Sequence, residues 1–343
     1  MSDSVLSASW SVAILAIAGA LTVVGSIRLV AVGDALADRT GWGEALFGAV
    51  FFGLVTSLSG IVTTAVTAAG DAPQLAYSNA VGGIAAQTTA VAVADLFHRR
   101  VNLEHATASL SNLLFGCLLV ALLALALVGT YTPDGTLLGI HPVSVVMVGC
   151  YVGGVMIIHS TDGTPYWQAV DTTETRPDRP AGHGGLDRTP LRRLWLGFVL
   201  IGSTVAAGGW AIALAGESLV EATGLRAGFV GGVLMGLINA LPETITAIAA
   251  VRRGALTLAV AAVLGGNCLD ALNLVVGDVF HRSGSLYHAA GPDELFLTAA
   301  ALLMTAILLG GLLVRQVRGW GRLGFEGTLL LGGYLAVVAI LAV

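Results

Sequence analysis

The chain contains no lysine: all 16 basic residues are arginine. Only 11% of its 343 residues are charged, 6% are aromatic, and three are cysteine. Each scarcity argues against a class of protein. So few charges leave the net charge of −5 with little to say about partners, and no nucleic-acid partner is expected. Cys117, Cys150 and Cys268 fall in separate apolar segments at unrelated spacings, which speaks against both a disulfide framework and a zinc site. The seven histidines show no His-Glu-x-x-His or comparable spacing, and neither a nucleophile–base grouping nor a phosphate-binding loop stands out. No enzyme activity and no cofactor are therefore expected. The N-terminus lacks the basic start and small-residue cleavage site of a signal peptide, so its first apolar run reads as a retained helix.

What the chain has instead is apolar length. It is 56% hydrophobic, with a mean hydropathy of +0.86 and 46 glycines. Runs long enough to span a bilayer recur throughout, which predicts an all-α polytopic membrane protein with lipid as its main partner. Ten spans are expected, near 10–39, 44–69, 74–97, 108–129, 141–159, 191–222, 226–251, 255–280, 294–315 and 324–343. Residues 160–190 differ in kind: they are rich in Asp, Thr, Pro, Gly and Arg and lack any apolar period. That segment reads as a linker between a first repeat at 1–159 and a second at 191–343.

Arginine placement sets the expected orientation. Arg39, the pair Arg99–Arg100, the cluster Arg176 to Arg193, the pair Arg252–Arg253 and the group Arg315 to Arg322 fall on one side if the N-terminus is outside. Arg226 and Arg282 fall on the other. The positive-inside rule then puts both termini outside and the central loop in the cytoplasm, in a plasma membrane expected to be prokaryotic.

The halves repeat at an offset of 183 residues (224 − 41), gapless from Gly25 to Arg99. The offset pairs Gly53-Leu54 with Gly236-Leu237, Gly82-Gly83 with Gly265-Gly266, and Asp95-Leu-Phe-His-Arg99 with Asp278-Val-Phe-His-Arg282. Five helices per half is an odd number, so the second half enters the membrane from the opposite side. An inverted-topology repeat places its substrate near the midplane, where broken helices of the two halves face each other.

Glu243 and Asp270 lie in mid-span, one beside Pro242 and the other shortly after Gly265-Gly266. A carboxylate inside a bilayer is costly unless it meets a cation, a proton or water. Carbonyls freed by proline, together with carboxylates, are the ligand set of a hard cation such as Na⁺ or Ca²⁺. The breaks are therefore expected at Pro242 and at the glycine pair.

Ala240-Leu-Pro-Glu243 and Gly265-Gly-Asn-Cys-Leu-Asp270, with Thr56-Ser-Leu-Ser-Gly60 and Gly82-Gly-Ile-Ala-Ala-Gln87 in the first half, resemble the motifs of the sodium/calcium exchangers of the calcium/cation antiporter superfamily. Those motifs run Gly-Thr-Ser-x-Pro-Glu, then Gly-Ser-Asn-x-x-Asn. This chain departs from them at Gly60, Ser59 and Ile84, where the family has Glu, Pro and Asn. The resemblance implies cation exchange by alternating access, with Na⁺-coupled Ca²⁺ transport favoured. H⁺-coupled Ca²⁺ or Na⁺ exchange is the rival, and a membrane protein that binds a cation without moving it is a third reading.

The candidate ligands are Glu243, Asp270, Asn267, Asn273, Thr56, Ser57 and Gln87. Asn267 and Asn273 share a helical ridge with Asp270. Thr56, Ser57 and Gln87 stand where the family has ligands. Against a ligand role stand interhelical hydrogen bonds for the amides and bonding to the helix's own carbonyls for the hydroxyls. The same local bonding is expected of Thr63 and Thr246. Asp95 and Asp278 are expected to make ion pairs or helix-end contacts, and Cys268 to fill apolar space.

Overall fold

Helix α1 (Ala8–Thr40) and helix α7 (Leu191–Thr223) open the two halves and pack along each other. The other helices, in chain order, are α2 (Leu58–Ala69), α3 (Pro73–Asp95), the short α4 (Leu103–Thr107), α5 (Leu110–Tyr131) and α6 (Pro142–Thr161). In the second half come α8 (Ala227–Phe229), α9 (Gly236–Arg253), α10 (Leu256–Ala271), α11 (Asn273–Phe280), α12 (Pro292–Val314) and α13 (Phe325–Leu341). The structure is a computed structural model that describes residues 6–40, 56–98, 101–133, 135–137, 139–161, 170, 189–317, 319 and 323–343. The first part of the expected 44–69 span, most of the 160–190 linker, Arg99, Arg100, Arg318, Arg322 and the side chains of Asp34, Asp38, Arg39 and Arg253 lie outside it.

Among the described residues every extended element is helical, and seven helical stretches are long and apolar enough to cross a membrane. The 183-residue offset is also visible in the helix bounds. Helix α1 begins and ends 183 residues before α7 (191 − 8 and 223 − 40). Helix α3 begins 183 before α10 (256 − 73), α5 ends 183 before α12 (314 − 131), and α6 begins 183 before α13 (325 − 142).

Helix α3 is the axis of the molecule. Proline at its first position suits a helix start, where the missing N–H would have no helical partner. From Leu75 to Asp95 nearly every side chain is buried, on all faces, and α2, α9, α10, α12 and α13 pack around it. Its content of Ala, Gly, Ser and Thr permits this, because small side chains let neighbouring backbones close in where lipid supplies no hydrophobic drive. The tightest approach is to the segment Val230–Met235, which winds as a π-helix between α8 and α9. A Cβ on Gly82 would fall on the Gly232 backbone, so that position admits only glycine without a shift of one helix.

The helix irregularities lie elsewhere than Pro242 and Gly265-Gly266. Helix α9 runs on through Pro242, which removes one internal hydrogen bond without ending the helix; the irregular turn is the π-segment just before it. Helix α10 likewise runs through both glycines, which have neighbours at ordinary distance and stay helical. It stops after Asp270: Leu272 takes φ −73° and ψ −9° and bonds the Leu269 carbonyl at 2.9 Å, a tighter turn than the α-helix. Ser57 interrupts the first half in the same manner, non-helical at φ −83° and ψ 1° just ahead of α2.

Candidate cation site

Asp270 reaches the centre of the molecule from the last turn of α10, at the edge of the Leu272 interruption. Gln87 on α3 donates Nε2 to its Oδ2 at 2.6 Å, and Asn273, the first residue of α11, donates Nδ2 to its Oδ1 at 3.3 Å. The Ser57 hydroxyl faces the same carboxylate from the interruption before α2. Four of the expected residues thus converge from both halves, all nearly inaccessible to solvent. A small cavity lies among them, lined by Ser57, Gly60, Gln87, Asp270 and Asn273 together with Asn79 and Asn239, with room for about one water-sized occupant.

Glu243 sits beside this cavity rather than on its wall. Its side chain is buried with Thr56 alongside, and both Oε atoms lack a hydrogen-bond partner at standard geometry. Asp270 is near enough for the two negative charges to repel. Two carboxylates held together away from water, one of them without a donor, call for a cation or protons to balance them.

Asn267 is placed differently. Its Nδ2 donates to Thr88 Oγ1 at 2.9 Å along the seam between α3 and α10, and its buried Oδ1 has no partner. It does not line the cavity.

A relay of amides that the sequence reading did not pick out completes the surroundings. Ser59 donates to Asn239 Oδ1 at 2.9 Å, Asn239 Nδ2 to Asn79 Oδ1 at 2.9 Å, and Asn79 Nδ2 to Thr64 Oγ1 at 3.0 Å. It ties α2, α9 and α3 together around the cavity. Asn79 has Ala262 as its repeat partner, so the internal repeat gives no signal for it; the available signal was an amide two turns from Gln87 on one buried helix.

The remaining polar residues serve backbone groups. Thr63 bonds the Ser59 carbonyl of its own helix at 2.7 Å and also the Gly209 carbonyl of α7 at 3.0 Å, and Thr246 bonds the Glu243 carbonyl at 2.9 Å. Cys268 is fully buried, its thiol turned to the Phe115 carbonyl at 3.2 Å. Asp95 and Asp278 make helix-end contacts: Asp95 accepts the Leu103 N–H at 2.6 Å, and Asp278 the Leu286 N–H at 3.2 Å.

The family model described as "Sodium/calcium exchanger protein" matches residues 10–159 and again 193–343, once in each half. A comparison with curated protein sequences found no match. Among solved structures, the sodium-calcium exchanger NCX_Mj soaked with 10 mM Na⁺ and 10 mM Sr²⁺ superposes with a TM-score of 0.59 at 17% identity, over 96% of this chain and 97% of that one. The same exchanger soaked without Na⁺ and Ca²⁺ gives 0.58 at 17% identity, over 96% and 98%. The H⁺/Ca²⁺ exchanger CAX gives 0.65 at 14% identity, over 97% of this chain and 85% of that one. At such identities the structures speak for a shared fold, while the doubled family match speaks for descent. This integral membrane protein belongs to the sodium/calcium exchanger family.

Proposed function

We propose that the chain exchanges Ca²⁺ for Na⁺ across a membrane by alternating access, with Asp270 and Glu243 as the charged ligands of the transported ions. The observation that carries this is the convergence on Asp270 of Gln87 and Ser57 from the first half and Asn273 from the second, beside a second buried carboxylate. Ca²⁺ takes 6–8 oxygens at about 2.3–2.6 Å. The side-chain oxygens of Asp270, Glu243, Ser57, Thr56, Gln87 and Asn273 are of the right kind, with Asn267 behind them and backbone carbonyls at the two interruptions. Two carboxylates balance one Ca²⁺, two Na⁺ or two H⁺. One set of charges fills the site at a time, so release of one ion precedes loading of the other.

The surrounding architecture on this proposal is ten spans in two inverted five-helix repeats, 1–159 and 191–343, joined by a cytoplasmic linker at 160–190. In support of this, the seven long apolar stretches, with α2, α3 and α13, overlap the expected spans among the described residues. Both termini lie outside, as the arginine asymmetry requires.

A second reading has its own observation. Gly60 holds the place that a glutamate has in the family's first motif, and it lines the cavity. A site with one carboxylate fewer balances protons as readily as Na⁺, which favours H⁺-coupled exchange of Ca²⁺ or Na⁺. Proteoliposomes separate the readings. Uptake of ⁴⁵Ca²⁺ driven by an outward Na⁺ gradient supports the first, and uptake driven only by a proton gradient supports the second. Binding without uptake of ⁴⁵Ca²⁺ or ²²Na⁺ under any gradient would overturn both and leave a cation-binding protein that does not transport.

A further inference from the structure

At the opposite end of α3 from its proline start, three carboxylates are buried together: Asp95 at the end of α3, Glu104 in α4 and Glu326 in the first turn of α13. Glu104 and Glu326 are wholly inaccessible, and among the described residues none of their four oxygens has a hydrogen-bond partner; Asp95 Oδ2 has none either. Glu104 lies within hydrogen-bonding reach of Glu326 and feels the charge of Asp95. Two acceptors that face each other form a hydrogen bond only when a proton lies between them. Glu326 is also tightly enclosed, since a Cβ on Gly311 or Gly324 would collide with its side chain.

The internal repeat supplies a built-in control. Asp95 and Asp278 are 183 residues apart, and each accepts a backbone N–H from eight residues on, Leu103 and Leu286. Asp278 is satisfied: its Oδ2 also accepts the His141 N–H at 2.7 Å and the Ser144 hydroxyl at 2.8 Å. The same offset puts Tyr287 in the place of Glu104, Val143 in that of Glu326, and Ser144 in that of Gly327. The helix-end role of the aspartate therefore needs neither glutamate. At the Asp95 end the serine donor is missing and two acids have been added.

We propose that Asp95, Glu104 and Glu326 form a proton-binding site, separate from the cation cavity, whose bound proton supplies the missing donor and holds α13 against α3 and α4. Burial, with the charges of Asp95 and Glu326, raises the Glu104 carboxyl well above the usual carboxylate range, as such sharing requires. Among the described residues, the other charged or titratable groups at this end of the packed elements are His98, His105, Arg252 and Arg315; Arg252, at the end of α9, lies over the Phe97 ring at 4.5 Å. Arg315 directs its guanidinium to the carbonyls of His105 and Val170, and His105 Nδ1 meets the Arg315 carbonyl at 2.7 Å. Tyr334 on α13 lies eight residues beyond Glu326, about 12 Å along the helix. No such group enters α12 near Gly311 or α10 near Leu256. Arg99, Arg100, Arg318 and Arg322 belong to adjoining segments outside the described residues.

The sign follows from linkage. The folded protein binds this proton more tightly than the unfolded chain, so the site contributes stability that is full below the ordinary glutamate pKa of about 4.3 and is lost as pH rises through the raised folded value. The test is the melting temperature of the purified full chain from about pH 5 to about pH 9, for wild type, Glu104→Gln and Glu326→Gln. Glutamine has the shape of the protonated acid and donates through its amide. Each variant should therefore match wild type at the acid end and gain on it steadily towards the alkaline end. Melting curves parallel to wild type at every pH, in either variant, would overturn the proposal. Failure of both isosteric variants to fold would overturn it too, because a neutral donor of the same shape should be accepted.

Discussion

Gln87 and Asp270 stand 183 residues apart, at equivalent positions of the two halves, and one donates Nε2 to the other's Oδ2 at 2.6 Å. In an inverted repeat, equivalent positions meet on the pseudo-twofold axis, and a ligand bound on that axis touches both. On the proposed inverted arrangement, the pair would mark where the halves share one site. It also shows their division of labour: the second half supplies the charge and the first a neutral amide that steadies it. Gln87→Ala should leave the fold intact and weaken cation binding by about tenfold or more, since a hydrogen bond to a charged group contributes about 1.5–3 kcal/mol and about 1.4 kcal/mol is tenfold in affinity. Titration calorimetry on the purified protein checks this, and unchanged affinity would mean that the amide does not orient the carboxylate.

Removing either charge should have a larger effect. Glu243→Gln and Asp270→Asn are each expected to abolish exchange in proteoliposomes while the protein stays folded. Both carboxylates are buried and repel each other, so the melting temperature measured without Na⁺ or Ca²⁺ should hold or rise in each variant. Wild-type exchange rates in either one would remove that residue from the mechanism.

Gly60 invites the opposite experiment. A Cβ there would meet Asn273 Nδ2 at 3.5 Å and Asn239 Cβ at 4.0 Å, both ordinary contacts, and the position lines the cavity. Gly60→Glu should add a third carboxylate beside Asp270, tighten Ca²⁺ binding, and make that binding steeply pH-dependent, because three close carboxylates hold a proton when no cation is present. Calorimetric Ca²⁺ affinity against pH is the measurement. A monodisperse variant with unchanged affinity at every pH would place residue 60 outside the coordination shell.

Two neighbouring glycines should respond in opposite ways. Gly82→Ala drives a methyl into the Gly232 backbone of the π-segment, whereas a Cβ on Gly83 comes no nearer than 3.8 Å to any neighbour. Overpacking of a dense interior costs about 1–3 kcal/mol, so Gly82→Ala should lower the melting temperature by several degrees and Gly83→Ala should barely change it. Equal melting temperatures would show that α3 and the π-segment are not held backbone to backbone.

Orientation is open to direct labelling. With native cysteines removed, a cysteine replacing Thr132, just after α5, should react with an impermeant thiol reagent in intact cells. A cysteine replacing Arg179, in the linker, should react only after lysis. The reverse pattern would invert the topology drawn from the arginines.

Sequence alone determined the class, the repeat and the charged centre. Apolar runs of spanning length need no tertiary information, because a backbone in lipid must satisfy its own hydrogen bonds and does so as helix. The 183-residue offset was visible as paired glycines and as the shared Asp-x-Phe-His-Arg, and it returns unchanged in the helix bounds. Glu243 and Asp270 stood out because charge is rare in mid-span. The tertiary structure decided where the helices actually break. Pro242 and Gly265-Gly266 are local weaknesses that surrounding helices hold in helical form, while the interruptions fall at Ser57 and Leu272, which carry no breaker residue. It also decided which polar residues share a wall. Asn267 turns to Thr88, whereas Asn79 and Asn239, whose repeat partners Ala262 and Thr56 carry no amide, line the cavity. Which face of a buried helix meets which neighbour depends on packing on every side at once, and α3, buried all round, has no apolar stripe from which to read it.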